Sequence, residues 1–111
     1  MKEITDYESR RKLYEKALEK WGADSQVDML IEEMSELTQV LLRIRRANRD
    51  VTVEELSDEI ADVEIMLEQV KVITECDYIV SLSFEKKLKK LKKYLKEENQ
   101  GGTKRWKLKK E

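Results

Sequence analysis

The stretch Ile31–Leu42, IEEMSELTQVLL, reads as an amphipathic helix, with apolar residues at Met34, Leu37 and Leu41. Such three- and four-residue steps put them on one side of a 3.6-residue turn. The glutamates complicate the pattern. At about 100° per residue, with Leu30 at zero, Met34 and Leu41 lie at about +40° and about +20°, and Leu37 at about −20°. Glu33 then falls at about −60° and Glu36 at about −120°. Val40, at about −80°, and Met29, at about −100°, bracket them along the axis. Both acids sit on the flank of the apolar stripe rather than opposite it. Glu32 points farther away, at about −160°.

The stretch Ser57–Leu67, SDEIADVEIML, repeats the arrangement on the next helix: Glu33, Glu36, Leu37, Val40 and Leu41 correspond to Glu59, Asp62, Val63, Met66 and Leu67. With Leu56 at zero, Ile60, Val63 and Leu67 fall within about 40° of it. Glu59 lies at about −60°, Asp62 at about −120° and Met66 at about −80°. Each helix thus offers two carboxylates three residues apart, which are neighbours on a helix surface. If the two helices pack antiparallel through these stripes, Glu33, Glu36, Glu59 and Asp62 can converge.

The rest of the chain is also helical in character. Of 111 residues, 42% are charged and 6% aromatic, with three glycines and no proline, so few residues punctuate strands or turns. The length suits one domain with a modest core, which oligomerisation would complete. The first helix is expected from about Thr5 to Trp21, on a weak stripe of Leu13, Ala17, Leu18 and Trp21, with Gly22 ending it. The second runs from about Ser25 to Ala47, with Ser25 and Asp28 as a capping pair and the stripe Val27, Leu30, Met34, Leu37, Leu41, Ile44. After NRDVT, Thr52 caps a third helix, with Glu55 three residues on, that runs to about Glu75 on the stripe Leu56, Ile60, Val63, Leu67, Val70. The fourth runs from Tyr78 or Ser81 to Lys96, carrying Phe84, Leu88, Leu91 and Leu95 among lysines. Residues 1–98 form the expected all-α, four-helix domain. Residues 99–111 read as a basic, flexible tail with Trp106 as its apolar anchor.

Charge is distributed unevenly. Residues 1–76 carry 11 Lys/Arg against 19 Asp/Glu, a formal −8, and residues 77–111 carry 12 against 5, a formal +7. A basic end suits phosphates, nucleic acid or an acidic partner, and equally a solvated face. The chain has no histidine and one cysteine, Cys76, which rules out imidazole catalysis, an intrachain disulfide and a multi-cysteine zinc site. Cys76 reads as a small apolar filler. No signal-peptide core and no run of about 18 apolar residues is present, so a cytoplasmic protein without a membrane partner is expected.

Four carboxylates beside a core repel one another and are poorly solvated when ionised. Divalent cations resolve this, and an oxygen-only donor set suits Mg²⁺, or Mn²⁺. A di-iron bundle is excluded because it needs histidines. Two other readings stand beside the metal site. The acids are ordinary surface charge, as expected of Glu32, Glu54, Glu55, Asp58, Glu64 and Glu68, or they pair with Arg43, Arg45 or Arg46 at little gain.

The segment EEMSE, Glu32–Glu36, followed by EIAD, Glu59–Asp62, resembles the EExxE…ExxD signature of the MazG-like all-α nucleoside triphosphate pyrophosphohydrolases, which include dimeric dUTPases and dCTP pyrophosphatases. The gap between Glu36 and Glu59 and the approach KWGADSQVDMLIEEMSEL are also similar, and the likeness spans roughly residues 10–95. The resemblance implies a compact MazG-like bundle completed as a homodimer or dimer of dimers. It implies a (d)NTP substrate cleaved between the α and β phosphates into (d)NMP and pyrophosphate, in control of the nucleotide pool. It assigns Mg²⁺, with Mn²⁺ as substitute, to Glu33, Glu36, Glu59 and Asp62. Glu32 or Glu36 would take the proton of the attacking water. In KLKKL, Lys87–Leu91, Lys87 and Lys90 would hold phosphates, against a plain solvated lysine face. Gln26 and Trp21 would lie near the base pocket, with core packing the other role for Trp21. The rival reading is a non-catalytic helical interaction module with a basic C-terminal arm; nucleic acid is the less favoured partner.

Overall fold

The computed structural model describes residues 6–46, 50–97 and 105–111, and all its secondary elements among these are helices: α1 Tyr7–Trp21, α2 Ala23–Arg45, α3 Val53–Thr74 and α4 Asp77–Leu95. Thr5, Ala47 and residues 98–104, on which some expected boundaries fell, lie outside the described residues. The four-helix count matches the expectation. The chain divides into two compact units, one of residues 1–74 with 108–111 and one of residues 75–107. No helix among the described residues is long and apolar enough to cross a membrane.

In the first unit, α1 opens on Asp6, whose carboxylate accepts the Ser9 N–H at 2.8 Å and the Ser9 hydroxyl at 3.0 Å. That caps an otherwise orphaned donor. Gly22 closes α1, its N–H donating to Leu18 O at 2.9 Å. Its φ of 84° is a conformation that a Cβ disfavours. The bend is abrupt enough that α2 begins at Ala23, and Gln26 N–H already donates to Gly22 O. Ser25 is therefore inside α2 and does not cap it, contrary to the expected Ser25–Asp28 pair. The Thr52 cap forms as expected, with Glu55 N–H donating to Thr52 Oγ1 at 3.0 Å. Glu75, with φ 54°, follows the end of α3.

The core lies mainly between α2 and α3, around Leu30, Val63 and Met66, with Leu37 and Val70 packed against them. The pairing is antiparallel: Arg43 near the end of α2 meets Glu55 near the start of α3. The buried strip is rotated from the expected stripes. Val40 is buried on α2, and Met66 on α3, while Met34, Leu41, Ile60 and Leu67 stay exposed. Ile44 and Val51 are fully buried, each contributing roughly 1.5–3 kcal/mol. On α1 the buried residue is Tyr14; Leu13 and Trp21, expected to face the core, are exposed.

The chain end belongs to this first unit. Lys109 forms a parallel bridge with Thr52, and Val53 N–H donates to Lys109 O at 2.7 Å. Glu111 N–H donates to Glu54 Oε1 at 3.0 Å. A first-turn helix donor thus finds its acceptor in the chain terminus.

The second unit is built on α4. It starts at Asp77, just after Cys76 and earlier than expected, and none of its residues is buried. Cys76 is half-buried.

Candidate metal centre

The antiparallel α2–α3 pairing carries Glu33 towards Glu59 and Asp62. One ligand oxygen from each of these three lies within 4.8 Å of the others. Glu33 and Glu59 are half-buried and Asp62 is exposed. Oε2 of Glu33 and Oε2 of Glu59 are buried without a hydrogen-bond partner. A buried carboxylate oxygen without a partner is unfavourable unless something satisfies it.

The electrostatics follow from the geometry. Burial, then repulsion from Glu36, Asp62 and Glu59, raises the Glu33 carboxyl above its ordinary range. Burial, then Glu36 and Asp62, does the same to Glu59. Glu36 acts on both as a charge, yet its oxygens are not among the three that converge. Glu32 is exposed.

The nearby arginine is engaged elsewhere. Arg43 Nη1 donates to Glu55 at 2.6 Å and Nη2 to Asp50 at 3.4 Å. The expected alternative, in which arginines neutralise the four candidate acids, has no such ion pair among the described residues. Glu55, expected as a surface acid, is half-buried in this tie.

One helical turn from the cluster lies a cleft of about 260 Å³, lined by Trp21, Ser25, Gln26, Met29, Met66 and Gln69. Met29 precedes Glu33 by four residues and Met66 follows Asp62 by four, so the cleft adjoins the acids along both helices. Gln26 and Gln69 are both buried here, and Gln69 Oε1 has no hydrogen-bond partner. The sequence pointed to Gln26 and Trp21 but not to Gln69. The only available signal was a polar residue three positions after Met66, beside the buried strip.

Lys87 and Lys90 belong to the second unit. They line a surface recess with Ser83, Lys86, Lys89 and Lys93, and the Lys90 ammonium lies 5.8 Å from the Tyr94 ring centre.

A second polar cluster went unforeseen. Arg10 grips Glu68 through Nε at 2.8 Å and Nη2 at 3.1 Å, and the Tyr14 hydroxyl donates to the same carboxylate at 2.5 Å. Glu68, expected as a surface acid, is half-buried. Burial opposes its ionisation, but the bonds from Arg10 and Tyr14 prevail and hold it below the ordinary range. Burial and the adjacent Glu68 push the Tyr14 phenol up to about 12.

No family model, no curated protein and no solved structure matches this chain.

Proposed function

We propose that this chain is an Mg²⁺-dependent nucleoside triphosphate pyrophosphohydrolase of MazG-like type, releasing pyrophosphate and a (d)NMP. One observation carries the reading: three carboxylates converge from two helices, with two buried oxygens left unpartnered. Such a cluster is costly as a bare structural feature and suits a hard divalent cation, since every donor is oxygen. Glu33, Glu59 and Asp62 would hold the ion, with Glu36 beside them, and Mn²⁺ would substitute for Mg²⁺. Bound there, the metal would screen the triphosphate charge and favour ionisation of water.

The protein's own groups supply the rest. Glu36, close enough to perturb both Glu33 and Glu59, or Glu32 takes the proton of the attacking water. The water oxygen bonds to a phosphorus of the α–β anhydride as its bridging P–O bond breaks, giving the (d)NMP and pyrophosphate. The adjoining cleft supports binding of the nucleoside. Met29 and Met66 offer apolar contact, and Gln26 and Gln69 offer amide donors and acceptors to a base. A homodimer or dimer of dimers belongs to the same reading.

The test is pyrophosphate release over a panel of common and modified (d)NTPs, with and without Mg²⁺. The expected result is metal-dependent release from at least one nucleotide, abolished by Glu33→Gln or Asp62→Asn. No release from any nucleotide, together with no Mn²⁺ binding, would sink the reading.

A further inference from the structure

We infer that α4 binds anionic lipid surfaces, lying flat in the headgroup layer with its apolar stripe turned towards the acyl chains. At about 100° per residue, with Leu88 at zero, Leu95 falls at about −20°, Phe84 at about −40° and Leu91 at about −60°. Val80 extends this stripe at about −80°. Ile79 and Leu82, in the opening turns, stand outside it. Phe84, Leu88, Leu91 and Leu95 keep 50–76% of their surface exposed. A contiguous row of large apolar side chains in that state marks a surface that meets something else.

The other face of the helix carries charge of one sign. From Phe84 to Lys96 the chain has seven lysines and one acid, Glu85, which pairs with Lys89 at 3.5 Å. The lysines fill the rest of the circumference, from Lys92 at about +40° through Lys93 at about +140° to Lys87 at about −100°. Leucine and phenylalanine on one side and lysine on the other is the pattern of a helix that lies in a membrane interface. The stripe from Val80 to Leu95 is about 23 Å long. Lysine stems at its edges can lie along it while their ammonium groups reach headgroup phosphates and carboxylates. Tyr94, at about −120° and 53% exposed, would sit at headgroup level, where tyrosine is enriched.

The charge pattern selects lipid over other occupants. Nucleic acid would neutralise the lysines and leave the stripe in water. A second copy of α4 would set Lys87 and Lys92 against their own counterparts, at positions that flank a helix–helix seam and repel there. An acidic helix would pair only with the lysines at the edges of the stripe. The potential of an anionic bilayer reaches about a Debye length, ~10 Å, roughly the diameter of a helix, so lysines all round the circumference contribute. Residues 77–111 carry the formal +7 and residues 1–76 the formal −8, so the attraction is local to this part of the chain. Lying on a surface needs no apolar run long enough to span one, so α4 departs from the expectation of no membrane partner. The lipid-binding face is independent of the carboxylate cluster, and it and the hydrolase reading fail separately.

The test is flotation of the full chain with vesicles of phosphatidylcholine alone and of phosphatidylcholine with roughly 30% phosphatidylserine. Far-UV circular dichroism and sedimentation equilibrium accompany it. Wild type should bind the anionic vesicles about ten-fold or more tightly than the neutral ones, and lose most of that binding at about 0.5 M salt. Phe84→Ser with Leu88→Ser removes the centre of the stripe and should weaken binding about ten-fold or more, with helicity and mass unchanged. Leu91→Gln, a milder change at an exposed position, should act in the same direction should the double variant lose helicity. Lys92→Glu with Lys96→Glu should weaken binding to the anionic vesicles and leave any binding to neutral ones as it was. No binding to the anionic vesicles, equal binding to both kinds, or binding that survives the stripe variants would each overturn the inference. A lower mass in the stripe variant would overturn it in favour of a second copy. Binding of a single-stranded oligonucleotide with the vesicles ignored would assign the lysines to nucleic acid instead.

Discussion

Glu33 on α2 and Glu59 on α3 meet across an antiparallel helix pair, and each contributes a buried carboxylate oxygen with no hydrogen-bond partner. Burial first, then the neighbouring acids, raises both groups above the ordinary value of 4.5. The folded state therefore holds these protons more tightly than the unfolded state. Their contribution to stability is full below about pH 4.5 and is lost as pH rises through the raised folded values. Glu33→Gln removes one repelling charge, so its melting temperature should exceed that of wild type by a margin that widens from about pH 4.5 towards neutrality. Differential scanning calorimetry in the presence of a chelator measures the margin. A constant margin, or one that shrinks with pH, would show that the repulsion is not there. Adding Mg²⁺ or Mn²⁺ at neutral pH should raise wild type and not the variant.

The Arg10–Tyr14–Glu68 cluster titrates in the other direction. Glu68 is held below its ordinary value, so its contribution is present above about pH 4.5 and lost as pH falls through the lower folded value. Tyr14→Phe deletes a hydrogen bond to a charged acceptor without changing ring volume, and should cost about 1.5–3 kcal/mol at neutral pH. Urea unfolding at pH 7 and pH 3 reads the difference. The cost should shrink at the lower pH, and an equal cost at both would mean that ring packing, not the bond, carries the effect.

Much of this arrangement is legible in the sequence, for identifiable reasons. Thr52 with Glu55 is a capping pair whose partners are three residues apart, so no tertiary contact is needed to recognise it. Gly22 ends α1 for an equally local reason, its positive φ. The carboxylates were legible because their direction follows from their own helices once these pack antiparallel. The rotation of the buried strip was not. On α2, apolar residues extend from Val40 and Met29 on one flank to Ile31 and Leu42 on the other, so the wheel has no unique centre. Only contact with α3 selects the flank bearing Glu33 as the inner one. Glu68 was misread because its partners, Arg10 and Tyr14, are more than fifty residues away. Ser25 failed as a cap because Gly22 lets the chain turn directly into α2.

The terminal residues supply an acceptor to the first turn of α3. Deleting residues 105–111 leaves Val53 N–H without the Lys109 carbonyl and removes the Glu111 contact to Glu54. The loss should be about 1–2 kcal/mol, the scale of a helix cap. Hydrogen exchange at Val53 should quicken well beyond any change at Val63 in the core. Unchanged protection at Val53 would show that the terminus does not hold this turn in solution.

Convergence of three oxygens rather than four makes the acidic residues unequal. Asp62 contributes to the 4.8 Å group and Glu36 does not, although Glu36 perturbs both buried glutamates through its charge. Asp62→Asn should therefore remove a ligand and weaken Mn²⁺ binding at least ten-fold, about 1.4 kcal/mol. Glu36→Gln removes a nearby charge and alters a side-chain contact with Glu33, but takes away no converging oxygen, so its effect on affinity should be smaller and should diminish as salt is raised. In turnover both variants should fail if Glu36 takes the water's proton: Glu36→Gln would then retain most of its Mn²⁺ affinity and still lose pyrophosphate release, as Asp62→Asn does. Mn²⁺ titration followed by electron paramagnetic resonance, paired with the pyrophosphate assay on the same samples, separates the two roles. Equal losses of affinity in both variants would place Glu36 among the ligands and require Glu32 to be tested as the base.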